Sequence, residues 1–417
     1  MTHGPGDVGT RRRPAGGITA YALTAGAIAL GWQILLQPVV ERAPVALAAR
    51  VAPGSAQVLS RAAEAELAAN RDSNASALAR EALRRAPFDV RALRVLGLAE
   101  ARAERLQSAD DLLTLAGNWS LRDDPSHAWL IERRLRRGDY ASSFAHADTL
   151  LRRREDLWPR IFRLFSVAAV SDPNRALPVI AKLLEANAPW RLYFLNSLYQ
   201  TPDGMRVAMA LAFLLKDSEA PLSNIELHQL YSALLSIGQV EAVRTVRQQL
   251  GRPAADLTVT NGEFSDTSSP LPFQWEPVQQ SGAEAEITGD DAAEANTALW
   301  VQYDGYSSAI IARQFTLLRP GRYRFEAHYR SDNPAAAGRM LWRINCVPPA
   351  SPVLSTPAVG DVTPSSTGWS RVTEEFIVPA NCPGQWLELE GRPADRRQMM
   401  TVWFDRVSIT PLTAPAS

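Results

Sequence analysis

The sequence predicts an α-then-β multidomain protein. A single N-terminal transmembrane helix leads into an array of α-helical hairpins, and a C-terminal antiparallel β-sandwich of jelly-roll type follows. Three observations carry this. Residues 14–40 hold no charged side chain. From Ser55 to about Leu250 apolar residues recur at spacings of three and four, with Pro and Gly arriving at helix-turn-helix intervals. After Gly251-Arg252-Pro253 the pattern turns to short alternating runs between Pro, Gly, Asn and Asp clusters.

The apolar run comes first. A helix needs about 20 apolar residues to cross a bilayer core, and 14–40 supplies them. Arg11, Arg12 and Arg13 precede it, while Glu41 and Arg42 cancel behind it. The positive-inside rule therefore keeps residues 1–13 in the cytoplasm and exports the rest. A cleaved signal peptide is the alternative, with Ala46-Leu47-Ala48 as a small-x-small site. The run is long for that role, and the Ala pair lies well past its end. The expected location is a bacterial inner membrane, single-pass, with the bulk of the chain in the periplasm. Residues 41–54, with Pro44, Pro53 and Gly54, read as a linker.

Charge narrows the partners. The formal net charge is zero, and residues 257–417 hold 12 Arg against 18 Asp and Glu. Neither half is basic enough for nucleic acid. Both cysteines, Cys346 and Cys382, fall in the exported part, where an oxidising compartment favours a disulfide.

The helical region is assigned to 55–252. A period of 34 aligns windows starting at 56, 90 and 124. Ala75, Ala79, Ala82 and Pro87 occupy the second-helix and terminator positions of the first window. Leu93, Leu96, Gly97, Ala109, Leu113 and Ala116 fall where helices of a pair must touch in the second, and Gly138-Asp139-Tyr140 makes the turn in the third. The pattern resembles the tetratricopeptide repeat family, without its first-helix aromatic and with shifted prolines. That resemblance implies a concave surface for a protein partner in the envelope. The runs Arg133, Arg134, Arg136, Arg137 and Arg152 to Arg154 read first as solvated helix faces, and Trp158, Trp190, Tyr193, Phe194 and Tyr199 as inter-helix core.

The C-terminal region is assigned to 257–412. Eight strands are predicted: 257–260, 298–303, 309–317, 321–329, 339–345, 370–378, 385–389 and 401–409. Strict alternation, as in Tyr323, Phe325, Ala327, Tyr329 against Arg324, Glu326, His328, Arg330, puts one face in a core and leaves the other open. The Val347–Thr367 stretch, rich in Pro, Ser and Thr, reads as a loop at the rim of a binding face or on a partner surface.

Several phrases resemble the galactose-binding-like jelly-roll superfamily, home to many carbohydrate-binding modules. They are Asn261-Gly262-Glu263-Phe264, Trp275 after Phe273, Leu318-Arg319-Pro320-Gly321-Arg322-Tyr323, Trp369 before a strand, and Phe404-Asp405-Arg406-Val407. The resemblance implies sugar binding. Candidate contacts are Trp300, Gln302, Arg324, Glu326, His328, Arg343 and Trp386 on outward strand positions, with Tyr306 and Trp369 in loops. It also implies a structural calcium, for which Glu263 and Asp405 are candidate ligands, although Ser265 stands where relatives often place another acid.

Catalytic signatures are missing. There is no Gly-x-Ser-x-Gly, phosphate loop, His-Glu-x-x-His or Gly-rich dinucleotide turn, and Glu374/Glu375 point to opposite faces of a strand. The expected function is a membrane-anchored, non-enzymatic envelope protein. Its helical repeats would recruit a partner and its β-module would bind a polysaccharide, in exopolysaccharide biosynthesis or export. The alternative is an assembly scaffold whose β-domain is purely structural.

Overall fold

A computed structural model describes residues 24, 26, 27, 31, 42–251, 258–266, 268–293, 295–331, 339–347, 351–357, 368–393, 397 and 399–412. The expected anchor at 14–40 falls almost entirely outside these residues. Among the described residues no helix is long and apolar enough to cross a membrane. The chain divides into two compact units, residues 1–153 and 154–417.

The first unit is helical. A short helix α1 (Val45–Val51) precedes α2 (Ala56–Ala68), α3 (Asp72–Arg85), α4 (Val90–Arg102), α5 (Leu106–Trp119), α6 (Asp124–Arg136) and α7 (Tyr140–Leu151). First helices begin at 56, 90 and 124 and second helices at 72, 106 and 140, so both recur every 34 residues. Local chemistry starts these helices: the Asp89 carboxylate accepts from Ala92 N at 3.0 Å, and the Asp139 carboxylate accepts from Ser142 N at 3.1 Å. Gly97 is demanded by close approach, since a Cβ there would lie 2.7 Å from Leu113 Cγ. The arginine runs are engaged within the fold. Arg134 and Arg137 both reach Asp110, at 2.8 and 2.6 Å, and Arg152 reaches Asp148 at 2.8 Å.

The second unit begins with a 3-10 turn (Glu155–Leu157) and six helices: α8 (Trp158–Ser171), α9 (Pro173–Glu185), α10 (Arg191–Leu198), α11 (Pro202–Leu215), α12 (Asn224–Ser236) and α13 (Val240–Gln249). Trp190 and Phe194 are fully buried and meet Phe162 and Phe165 at centroid distances of 5.4–6.1 Å. Aromatic burial, the reading expected for Trp190 and Phe194, holds this helical cluster, whereas Tyr193, also expected in the core, is 57% exposed.

Among the described residues ten strands follow: β1 (Glu276–Pro277), β2 (Ala283–Gly289), β3 (Thr297–Tyr303), β4 (Ala309–Thr316), β5 (Gly321–Ser331), β6 (Met340–Val347), β7 (Ser351–Ser355), β8 (Ser370–Val378), β9 (Gly384–Gly391) and β10 (Met400–Pro411). They form two antiparallel sheets, sheet A in the order β1-β4-β9-β6-β7 and sheet B in the order β2-β3-β10-β5-β8. The core between them centres on Trp342, whose ring lies 5.4–5.7 Å from Phe404, Phe325 and Trp275. Cys346 and Cys382 join in a disulfide within that core.

Three local readings are corrected. Residues 258–260 form no strand; the Gln314 side-chain amide holds Thr260 instead, accepting from its N–H and donating to its C=O at 2.8 Å each. β2 was overlooked because its inward residues include Ala283 and Ala285, which carry little β signal. β7 pairs with β6 inside the stretch expected to be loop, despite Pro352, because it is an edge strand.

The last two helices pack directly on the sandwich. Arg244 donates to Leu317 O at 2.8 Å and to Pro383 O at 2.9 Å. The Arg247 guanidinium lies 3.9 Å over the Phe273 ring, and Tyr231 meets the same ring edge-on at 5.2 Å. Gly384 is required beside α13, since a Cβ there would approach Val240 Cγ1 to 2.8 Å.

Candidate functional site

The candidate residues separate onto the two outward faces of the sandwich. Only Arg343 and Trp386 belong to sheet A. Trp300, Gln302, Arg324, Glu326 and His328 belong to sheet B, Trp369 borders it before β8, and Tyr306 lies in the loop between β3 and β4.

On sheet A three adjacent strands present one polar array. Register places Arg313 of β4 opposite Glu388 of β9, and Glu388 opposite Arg343 of β6. In the next row Trp386 lies between Phe315 and Asn345. Phe315 is buried, meeting Trp386 edge-on at 5.1 Å. Trp386 itself is half-buried, with the Arg313 guanidinium 4.8 Å over its ring. Arg313 is held by Glu276 at 2.6 Å, Arg343 by Glu390 at 2.7 Å, and Asn345 Nδ2 donates to Glu388 Oε2 at 2.7 Å. Burial pushes the Glu388 carboxyl above the ordinary glutamate value, against the pull of Asn345, Arg313 and Arg343. The array thus offers an indole surface beside carboxylate, amide and guanidinium groups already oriented by one another. Arg313, Asn345, Glu388 and Glu390 were not singled out from sequence; their signal was the same strand alternation that marks Arg343 and Trp386.

The sheet B candidates are dispersed. Arg324 pairs with Glu375 at 2.9 Å, and Glu326 with His328 at 3.2 Å. Gln302 lines a cavity of about 470 Å3 with Glu284, Asp304 and Arg397. Tyr306 is 75% exposed, its ring 5.9 Å from the Arg397 guanidinium. Trp369 donates its indole N–H to Ala292 O at 2.9 Å. Trp403, which sequence reading overlooked, stands opposite Trp300 on β10.

The expected calcium ligands Glu263 and Asp405 are close enough for the charge of Glu263 to act on Asp405. Asp405 is buried and accepts from Arg406 N at 2.7 Å, and its carboxyl is pushed up by burial. Glu263 is exposed beside a cavity of about 540 Å3 that Glu326 also lines. Among the described residues no group of three or more His, Cys, Asp or Glu is placed to hold a metal. Calcium takes six to eight oxygens, so these two carboxylates by themselves do not complete a site.

No family model and no curated protein matches the chain. Solved structures of carbohydrate-binding modules are similar to it. A CBM4 structure has 15% identity, covering 37% of this chain and 99% of that one, at TM-score 0.28. The CBM22-1 xylan-binding domain of Paenibacillus barcinonensis Xyn10C has 10% identity, covering 38% and 96%, at TM-score 0.28. TmCBM61, solved with beta-1,4-galactotriose, has 11% identity, covering 38% and 96%, at TM-score 0.25. At such identities and scores these likenesses decide nothing about ligand.

Proposed function

We propose that this chain is a non-enzymatic polysaccharide-binding protein of the bacterial envelope, and that sheet A carries its glycan site. One observation supports this above the others: Trp386 presents a half-buried indole beside the Arg313–Glu388–Arg343 row, whose side chains are fixed by mutual contacts. A sugar ring offers an apolar face and a rim of hydroxyls. An indole suits the first, and carboxylate, amide and guanidinium groups suit the second. Orientation beforehand lowers the entropy lost on binding.

The rest of the reading follows the chain. Residues 14–40 anchor it in the inner membrane with the N-terminus cytoplasmic, and the helical hairpins act as tetratricopeptide-like repeats that hold a partner protein. Exopolysaccharide biosynthesis or export is the setting in which an exported scaffold and a glycan-binding sandwich serve together. A second reading, assembly scaffold alone, draws on a groove of about 560 Å3 in the second unit's helices, bordered by Val167 and Val170, both exposed.

Affinity electrophoresis of the full chain in gels containing neutral polysaccharides, including the organism's own extracellular polymer, tests the glycan site. The wild type is expected to be retarded, and Trp386→Ala to lose at least tenfold in affinity while its melting temperature holds. Free migration in every polymer would favour the scaffold. A reporter fused behind Ser417 that is active only in the cytosol would overturn the compartment.

A further inference from the structure

The chain is folded onto the first unit from Ala43 onward. Ala48 of α1 and Val58 of α2 are both buried, and Ala43, Ala49 and Ala52 pack against them. Arg61 of α2 donates to Ala43 O at 2.6 Å, and Arg85 of α3 donates to Gly54 O. The uncharged run ends at residue 40, and the three residues from there to Ala43 span at most about 11 Å. The headgroup layer of a bilayer is itself about 5–7 Å deep on each side. A unit tied this closely to a membrane-spanning helix lies against the bilayer surface, not at a distance from it.

Large apolar side chains are exposed beside this junction. Phe88, in the loop from α3 to α4, is 76% exposed, and Leu121, in the loop from α5 to α6, is 64% exposed. The Phe88 ring lies 5.0 Å from that of Trp119, the last residue of α5, which is also exposed. Arg85 stands three residues before Phe88, so its bond to Gly54 brings the segment after α1 to this loop. α1 turns Leu47 and Val51, about one helical turn apart, to solvent. Apolar side chains grouped in this way mark a contact surface.

Charge indicates the occupant. Arg42, Arg50 and Arg122 are exposed and enter no ion pair among the described residues. The acids of the two loops are already engaged: Asp89 caps α4, Asp123 holds Arg94, and Asp124 holds Arg153. Indole, phenyl and leucine side chains edged by unpaired guanidinium groups match the zone between acyl chains and anionic headgroups.

We infer that Phe88, Trp119 and Leu121, with Leu47 and Val51 beside them, form a lipid-binding patch. Through it the first unit lies on the anionic surface of the membrane that holds the anchor. This rests on the reading of residues 14–40 as an anchor, and the experiment keeps the two claims apart.

The full chain is reconstituted in vesicles of phosphatidylethanolamine and phosphatidylglycerol, with or without lipid carrying a nitroxide in the upper acyl chain. A nitrobenzoxadiazole fluorophore is attached at Leu121→Cys or, as a control, at Ser108→Cys. Ser108 is exposed near the other end of α5, about 16 Å from Trp119 along the helix axis. Cys346 and Cys382, joined in a disulfide, take no label. The nitroxide is expected to quench the Leu121 label at least twofold and to leave the Ser108 label unchanged. Adding Phe88→Ser and Trp119→Ser should release the Leu121 label from quenching. If that variant loses its fold, Arg122→Glu alone should at least halve the quenching. A chain that floats with the vesicles while its Leu121 label stays unquenched overturns the patch and leaves the anchor standing. Shielding of that label from aqueous iodide without quenching by the lipid assigns the patch to a second copy of the chain, which also overturns it. A chain that does not float with the vesicles sinks both.

Discussion

Arg191 and Glu226 form a buried two-point ion pair that ties α10 to α12. Arg191 Nε reaches Glu226 Oε1 at 2.7 Å and Nη2 reaches Oε2 at 3.0 Å, with both side chains 8% exposed. Arg191 also donates to the carbonyls of Leu184, Ala220 and Pro221, each at 3.0 Å. Glu226 accepts from Ser223 N at 2.8 Å, closing a capping box at the start of α12. α12 is also one of the helices that meet the sandwich, through Tyr231.

Removing one partner of this pair leaves the other charge buried alone. Arg191→Ala or Glu226→Ala is expected to cost about 3–5 kcal/mol in urea unfolding. Arg191→Lys should recover little, because an ammonium cannot reproduce the planar fork. A loss under 1 kcal/mol for either alanine variant would show that water replaces the partner.

The Cys346–Cys382 bridge closes a separation of 36 residues between β6 and the turn before β9. In the chain-entropy model such a loop contributes about 3–4 kcal/mol. The double variant Cys346→Ser/Cys382→Ser is expected to melt well below the wild type, and wild type treated with reductant should approach it. Equal melting temperatures with and without reductant would contradict this.

Glu388 makes the stability of the sandwich pH-dependent. Its folded pKa is raised above the ordinary 4.5 by burial, so the fold favours the protonated form. The stability it contributes is fully present below the unfolded value and is lost as pH rises through the raised one. Glu388→Gln should therefore gain stability relative to wild type as pH rises across that window, read as a growing difference in melting temperature. A difference that stays constant with pH would refute the assignment.

In the first unit, His127 Nδ1 and His146 Nδ1 lie 3.1 Å apart. Burial, followed by the charge of His127, lowers His146 from 6.5 to about 4, and burial also lowers His127. Both folded values lie below the unfolded one. The stabilisation is thus complete above pH 6.5 and is lost as pH falls toward 4. His146→Gln should flatten this acid slope in thermal melts followed at the helical signal; an unchanged slope would assign it elsewhere.

Local pattern alone determined much of this protein. The 34-residue recurrence of helix starts follows from where small residues, turn residues and caps recur, and Gly97 was legible because contact between paired helices tolerates no side chain there. Seven of the strands were legible because a half-buried strand alternates every second residue. The cysteine pair was legible from count, since the sequence holds two cysteines and they pair with each other. Tertiary structure alone decided which outward residues share a face. Trp300 and Trp403 are opposite each other because strand order sets β3 beside β10, although a hundred residues of chain intervene. Arg343 and Trp386 alternate in the same way as Trp300, yet β6 and β9 lie in the other sheet, so these groups occupy opposite sides of the sandwich. Alternation tells a side chain to turn away from the core; only the pairing of strands distant in sequence tells it which neighbours it will meet.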